Sequence, residues 1–341
     1  MSTKIFADSG IQHHSRISLQ MRWQLCLILF LMLRPLVGCS RDAAPVVTSS
    51  PEKLESQKLP NAYRITPNVI SGGLPEGDAA FAELKALGVK TVISVDGKQP
   101  DVETAKRHDL RYVHLPHGYG GIPESRGREL AKAVRDLDAP IYIHCHHGKH
   151  RSPAAAVVAC VSAGLLDFQS AHAVLTTAGT SENYRGLYQS AESARPLNKT
   201  LLDQLQVDFR ERTDIPPLAE AMVAIEHAHD QLKAIAAADW KTPASHPDLV
   251  PAHEALMLRE HFAELLRSDA VAKHSVRFRT LVSEGEAASA ELETALREWN
   301  ASDDSHAVPA KIGQALELVS KNCTTCHKEF RDIPLSERQS Q

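Results

Sequence analysis

The spacing of hydrophobic positions changes once along this chain. Up to about residue 196, short β-branched apolar runs alternate with amphipathic stretches. Asn68–Ser71, Val89–Val95, Tyr112–Leu115 and Ile141–His144 have the length and composition of strands. Between the first two, Asp78–Leu87 sets Phe81, Leu84 and Leu87 on one helical side, and Gly88 follows as a stop. Helical spacing recurs at Val102–His108, Glu124–Leu137, Ser152–Ala163 and Phe168–Thr176. This alternation predicts a layered α/β domain, a central sheet flanked by helices, over residues 60–197.

Past that point the strand signals stop. Asn198–Glu211, within a connecting segment 198–215, reads as a helix. Four longer amphipathic segments follow, at Pro216–Ala238, Pro251–Arg267, Asp269–Asn300 and Val308–Phe330. In the first, Leu218, Met222, Ile225, His229 and Leu232 form one stripe. In the last, Ile312, Leu316, Val319, Cys323, Cys326 and Phe330 do the same. Four such segments joined by short loops predict an all-α antiparallel four-helix bundle over 216–334, with 335–341 as a tail.

Composition narrows the possibilities. A chain of 341 residues has room for two domains beyond a leader. Its formal net charge of -4, with 18 histidines taken as neutral, provides no basic field, so no nucleic-acid partner is expected. The six cysteines sit in unlike surroundings and do not read as a disulfide framework. Cys160, inside Ala154–Val161, reads as core.

At the N-terminus, Arg22 precedes the apolar run Leu25–Leu33, which is too short to span a bilayer comfortably. Residues 1–39 therefore read as a signal peptide, and 40–59, rich in Ser, Pro, Ala and charge, as a flexible tether. Leu36-Val37-Gly38-Cys39 resembles the bacterial lipoprotein cleavage box. That resemblance implies a lipid on Cys39 and an exported chain anchored to a membrane on its periplasmic side.

Two motifs carry chemistry. The first, His144-Cys145-His146-His147-Gly148-Lys149-His150-Arg151-Ser152-Pro153, lies between an apolar strand and an Ala/Val-rich helix. A loop at a helix N-terminus turns backbone N–H groups and the positive end of the helix dipole toward an anion. A cysteine in such a place is favoured as its thiolate. Arg151 offers a planar fork matched to phosphate oxygens, Ser152 a hydroxyl for the sulfur, and Gly148 a tight turn. A metal site built from His144, His146, His147 and His150 is the competing reading, although consecutive side chains on such a loop diverge.

The spacing Cys-x5-Arg-Ser after a strand resembles the signature of protein tyrosine and dual-specificity phosphatases, over about Tyr63 to Ala163. The resemblance implies Cys145 as nucleophile through a phosphocysteine, Arg151 as phosphate clamp, and the backbone of His146, His147, Gly148, Lys149 and His150 as cradle. It also implies a phosphorylated substrate. The family carries a general-acid Asp on an upstream loop; here Pro116–Glu124 contains none, and His117 and Glu124 are the proton donors that it offers. Losing general-acid help typically costs ~10²–10⁴-fold in rate. The alternative is thus a weak or inactive domain that binds an anion or a partner.

The second motif, Cys323-Thr324-Thr325-Cys326-His327, has the c-type haem attachment spacing. The run Cys323–Arg331 resembles the C-terminal helix of the cytochrome c-prime and c-556 group. This implies one covalent haem c on Cys323 and Cys326, His327 as axial iron ligand and Arg331 near the haem edge. Met222 is the candidate second axial ligand, with His227 and His229 as rivals. Electron transfer with a periplasmic redox partner, sensing of a small gas, and a homodimer formed through the bundle are what that group implies.

Overall fold

Six short runs pair into one sheet, in the spatial order Glu52–Lys53, Tyr63–Thr66, Val69–Gly72, Ile141–His144, Thr91–Ser94 and Arg111–His114, with the β-branched apolar runs at its centre. The computed structural model describes residues 50–299 and 307–338. The leader with Cys39, and residues 40–49 of the expected tether, lie outside the described residues. The strands are β1 (Glu52–Lys53), β2 (Tyr63–Thr66), β3 (Val69–Gly72), β4 (Thr91–Ser94), β5 (Arg111–His114) and β6 (Ile141–His144). β1, β2 and β3 are antiparallel neighbours, whereas β3, β6, β4 and β5 run parallel. The parallel strands are nearly all buried, as strands covered on both faces should be.

The helices of this half are α1 (Gly77–Ala86), α2 (Val102–Arg107), α3 (Glu124–Asp136), α4 (Arg151–Ser162), α5 (Ala171–Thr177), α6 (Arg185–Ser193) and α7 (Lys199–Gln204). Two apolar layers enclose the sheet. Phe81, Leu84, Val92, Tyr112 and Tyr142 belong to one, and Ile93, Val113, Leu130, Ile143 and Val157 to the other. α4 is buried at all twelve positions, and seven of the twelve are Ala or Val. The C-terminal ends of the parallel strands converge where β3, β4 and β6 give way to loops, the usual place for a ligand site in such sheets.

The remaining helices are α8 (Pro217–Ala237), α9 (Pro251–Arg267), the single turn α10 (Asp269–Ala272), α11 (Val276–Glu298) and α12 (Ala310–Phe330). Ile225, Leu232, Leu258, Phe262, Leu292, Ile312 and Val319 form their common core. α9 packs closely on α8 and α11, and α11 on α12. α8 and α12 approach each other less closely, and His229 Nε2 on one is 2.9 Å from Ser320 Oγ on the other.

Three local expectations change. Asn198–Glu211 is not one helix: α7 stops at Gln204, and the chain then runs beside β5. There the His114 amide donates to the Arg210 carbonyl at 2.9 Å, and Thr213 Oγ1 donates to the His114 carbonyl at 2.9 Å. Covering an exposed strand edge outweighs modest helix propensity. Asp269–Asn300 is split after α10, because Ser268 and Ser275 each cap a new helix by accepting from the amides of Val271 and Phe278. The expected tether 40–59 contains β1 and the buried Leu59, so its last part belongs to the sheet and its core.

Candidate active site

The strand-to-helix connection after β6 folds Cys145–His150 into a loop directly preceding α4. Gly148 makes this possible. Its φ is +71°, and a Cβ there would collide with the backbone of Gly72 and Gly73, which the loop crosses closely. Outward-facing carbonyls are tied down from outside the loop. Leu74 N donates to His146 O at 2.9 Å, Asn61 Nδ2 to Gly148 O at 3.0 Å, and Thr180 Oγ1 to Lys149 O at 2.6 Å.

Cys145 Sγ and Ser152 Oγ are 3.3 Å apart, both buried, and Ser152 Oγ donates to the Gly72 carbonyl at 2.9 Å. One hydroxyl hydrogen cannot serve both acceptors. While the thiol carries its proton, S–H can donate to Ser152; once the thiolate forms, the hydroxyl can turn from Gly72 to the sulfur.

Arg151 is 6% exposed. Its Nη2 donates to Asp96 Oδ2 at 3.0 Å, and its guanidinium lies 4.6 Å from the Tyr119 ring centre. Its Nε has no hydrogen-bond partner. Burial works against the Arg151 charge, but Tyr119 and Asp96 outweigh it and hold the guanidinium protonated. Burial alone would raise the Asp96 carboxyl; Arg151 and the Lys98 amide bring it down to about 2, so it is an anion at neutral pH. Asp96 escaped the sequence reading. Its signal was its place, two residues beyond the end of β4 where the parallel strands converge.

The proton-donor candidates fare differently. Glu124 is exposed at the start of α3 and pairs with Arg128. His117 is buried beside the clamp, with Nδ1 3.0 Å from the Gly118 carbonyl and Nε2 unpartnered. Burial pushes its imidazole down to about 4, so at neutral pH it carries no imidazolium proton to give. Of the loop histidines, His144 turns away to Tyr112 Oη at 2.6 Å, and His150 packs on Tyr184 at 4.7 Å between ring centres. His146 and His147 stay together, 4.3 Å apart, so these two consecutive rings do not diverge. Cys160 is fully buried, and burial pushes its thiol up to about 12.

Neither a protein-family model nor a curated protein sequence matches the chain. Solved structures do. Pseudomonas aeruginosa TpbA aligns at 21% identity over 42% of this chain and 90% of that one, with a TM-score of 0.37. A putative phosphatase (DUF442) from Shewanella putrefaciens aligns at 17% over 41% and 96%, with a TM-score of 0.34. The core catalytic domain of the Saccharomyces cerevisiae PP-IP phosphatase SIW14, in complex with citrate, aligns at 15% over 43% and 88%, with a TM-score of 0.33.

The second motif lies near the end of α12. Cys323 and Cys326 are half-buried and pack, with Met222, Leu218, Leu316 and Phe330, on the helical core. The stripes of α8 and α12 are only partly covered at this end, whereas Ile225, Leu232, Ile312 and Val319 further along are buried. Burial pushes the His327 imidazole down to about 3, which keeps its ring nitrogens neutral. His227 is exposed, and His229 is engaged with Ser320. Arg331 acts electrostatically on Cys323, Cys326 and His327, and it also reaches the loop after β5. Its guanidinium lies 4.2 Å from the centre of the Tyr119 ring, the ring that Arg151 also meets, and its Nη2 lies 3.3 Å from Tyr184 Oη.

Proposed function

We propose that the chain is an exported cysteine-dependent phosphatase that hydrolyses phosphomonoesters, phosphotyrosine, phosphoserine and phosphothreonine included, and that carries one covalent haem c. The observation that carries the first part is the pairing of a buried thiol, 3.3 Å from a serine hydroxyl, with a buried guanidinium whose Nε is unpartnered. A buried donor without a partner costs about 1–3 kcal/mol, and a phosphate oxygen is the kind of acceptor that would remove that cost.

In this reading Cys145 attacks phosphorus, the P–O bond to the leaving group breaks, and phosphate passes to sulfur. Arg151 stabilises the equatorial oxygens, with Asp96 fixing the guanidinium plane. Water then attacks the phosphocysteine, and the Ser152 hydroxyl donates to the departing sulfur. With no carboxylic acid on Pro116–Ile122 and His117 held neutral, good leaving groups such as aryl phosphates are favoured.

Two thiols three residues apart on one helical side, followed at once by a neutral imidazole, are a donor set that fits haem c, and the partly covered apolar stripes leave a lining for a porphyrin. Cys323 and Cys326 would hold the macrocycle, His327 and Met222 the iron. Met222 and His327 each lie seven residues from the His229–Ser320 bridge. Oppositely directed helices would bring them level. Bound there, haem would supply a one-electron couple, and a small-gas site only where Met222 does not hold the iron. Covalent haem fits the cytochrome c-prime type of four-helix bundle, and a lipid on Cys39 would tether the chain at the membrane.

The test is an aryl phosphate assay of wild type and Cys145→Ser with a pyridine haemochrome spectrum of the same samples. Turnover lost in Cys145→Ser and a haem c spectrum in both are expected. Absent Cys145-dependent turnover would favour the alternative, a haem protein whose α/β domain binds an anion or partner, for which the missing acid is the supporting observation.

A further inference from the structure

His146 and His147 open the cysteine loop, and the side chain that meets them comes from the other half of the molecule. Asp230 sits on α8, and its Oδ2 lies 3.4 Å from His146 Nε2. One donor atom from each of His146, His147 and Asp230 falls within 4.8 Å of the other two. Among the described residues no other group of three His, Cys, Asp or Glu side chains converges in this way.

We infer that His146, His147 and Asp230 form a site for a divalent cation of the zinc class, spanning the joint between the cysteine loop and α8. Two imidazoles and one carboxylate suit a borderline cation and leave a position for water. Bonds of about 2.0–2.1 Å set the edge of a tetrahedral site at about 3.3–3.4 Å. The His146–Asp230 separation of 3.4 Å already has that length. His147 is exposed, so its ring can swing inward without moving core atoms.

Charges around the site are compatible with a cation. Lys233 pairs with Asp230, but through Oδ1, which leaves Oδ2 for the metal. Glu226, one turn earlier on α8, adds negative charge toward both histidines. Occupancy would pin the cysteine loop to the helical half at the residues adjoining Cys145. The site does not depend on turnover at Cys145, nor on haem.

The experiment uses the untagged full chain and Zn²⁺ alone, titrated against a chromogenic chelator, together with thermal midpoints measured with and without Zn²⁺. One Zn²⁺ per chain is expected, with affinity at least ~10-fold weaker in His147→Gln and in Asp230→Asn. A Zn²⁺-dependent rise in midpoint is expected in wild type and not in either variant. His147→Gln alters an exposed side chain, so its metal-free midpoint should match wild type. Cys145→Ser should bind as wild type does. Unchanged affinity in His147→Gln and Asp230→Asn, absence of a stoichiometric Zn²⁺, or loss of binding in Cys145→Ser alone would overturn the proposal.

Discussion

Arg151 holds a full positive charge at a position 6% exposed, and the Asp96 carboxylate is what makes that tolerable. Removing one partner of a buried pair costs about 3–5 kcal/mol, because the other charge stays behind without compensation. Asp96→Asn should therefore lower stability by about 3 kcal/mol in denaturant titration and weaken inhibition by inorganic phosphate. The same residues set the acid response. Asp96 has a folded pKa of about 2, below its ordinary value of 3.8, so it binds fewer protons folded than unfolded. Its contribution is present above about pH 4 and is lost as pH falls through 2. His117 is depressed to about 4 from 6.5 by burial. Unfolding lets it take up a proton, so its contribution is full above pH 6.5 and fades as pH falls toward 4. Stability should decline through both ranges, the loss between pH 6.5 and 4 being smaller in His117→Asn and the loss below pH 4 smaller in Asp96→Asn. Neither loss vanishes, because burial also depresses His144 and His150, and the His146 and Lys233 partners also depress Asp230.

At the level of elements, the cysteine loop is shaped by residues far away in the chain. Asn61 and Thr180 hold its carbonyls, and Gly72–Gly73 lie against Gly148. Gly148→Ala would meet both a φ of +71° and a backbone collision. It should cost more than 1 kcal/mol in chemical denaturation and abolish turnover even with Cys145 intact. Much of this architecture was legible. β4, β5, β6, α3 and α4 follow from apolar runs and 3.6-residue spacing, and the loop chemistry from Cys145, Gly148, Arg151 and Ser152. What escaped depended on distant partners. β1 has only two residues and carries no periodicity, and Arg210 and Thr213 leave the helical pattern where they bond to His114 of β5. Asp96 carries no spacing signal until Arg151 is known to reach it.

At the scale of the whole molecule, the described residues on both sides of the joint belong to one unit, Pro45–Gln341. The segment after α12 grips the loop after β5. Leu335 N donates to Gly120 O at 2.7 Å, and Arg185 meets Glu337 through two bonds of 2.7 and 2.8 Å. Arg331, four residues past His327, joins Arg151 on the Tyr119 ring. Arg331→Ala should loosen the Gly118–Gly121 loop, with faster hydrogen exchange there, and lower stability by about 1–2 kcal/mol. That contact was invisible in the sequence, where Arg331 belonged to the haem motif alone. The central claim is nucleophilic attack by Cys145, and rapid mixing with excess aryl phosphate tests it most directly. A burst of one aryl alcohol per chain, with phosphate recovered on the peptide containing Cys145, is the predicted result. Phosphate release that continues undiminished in Cys145→Ser would contradict it.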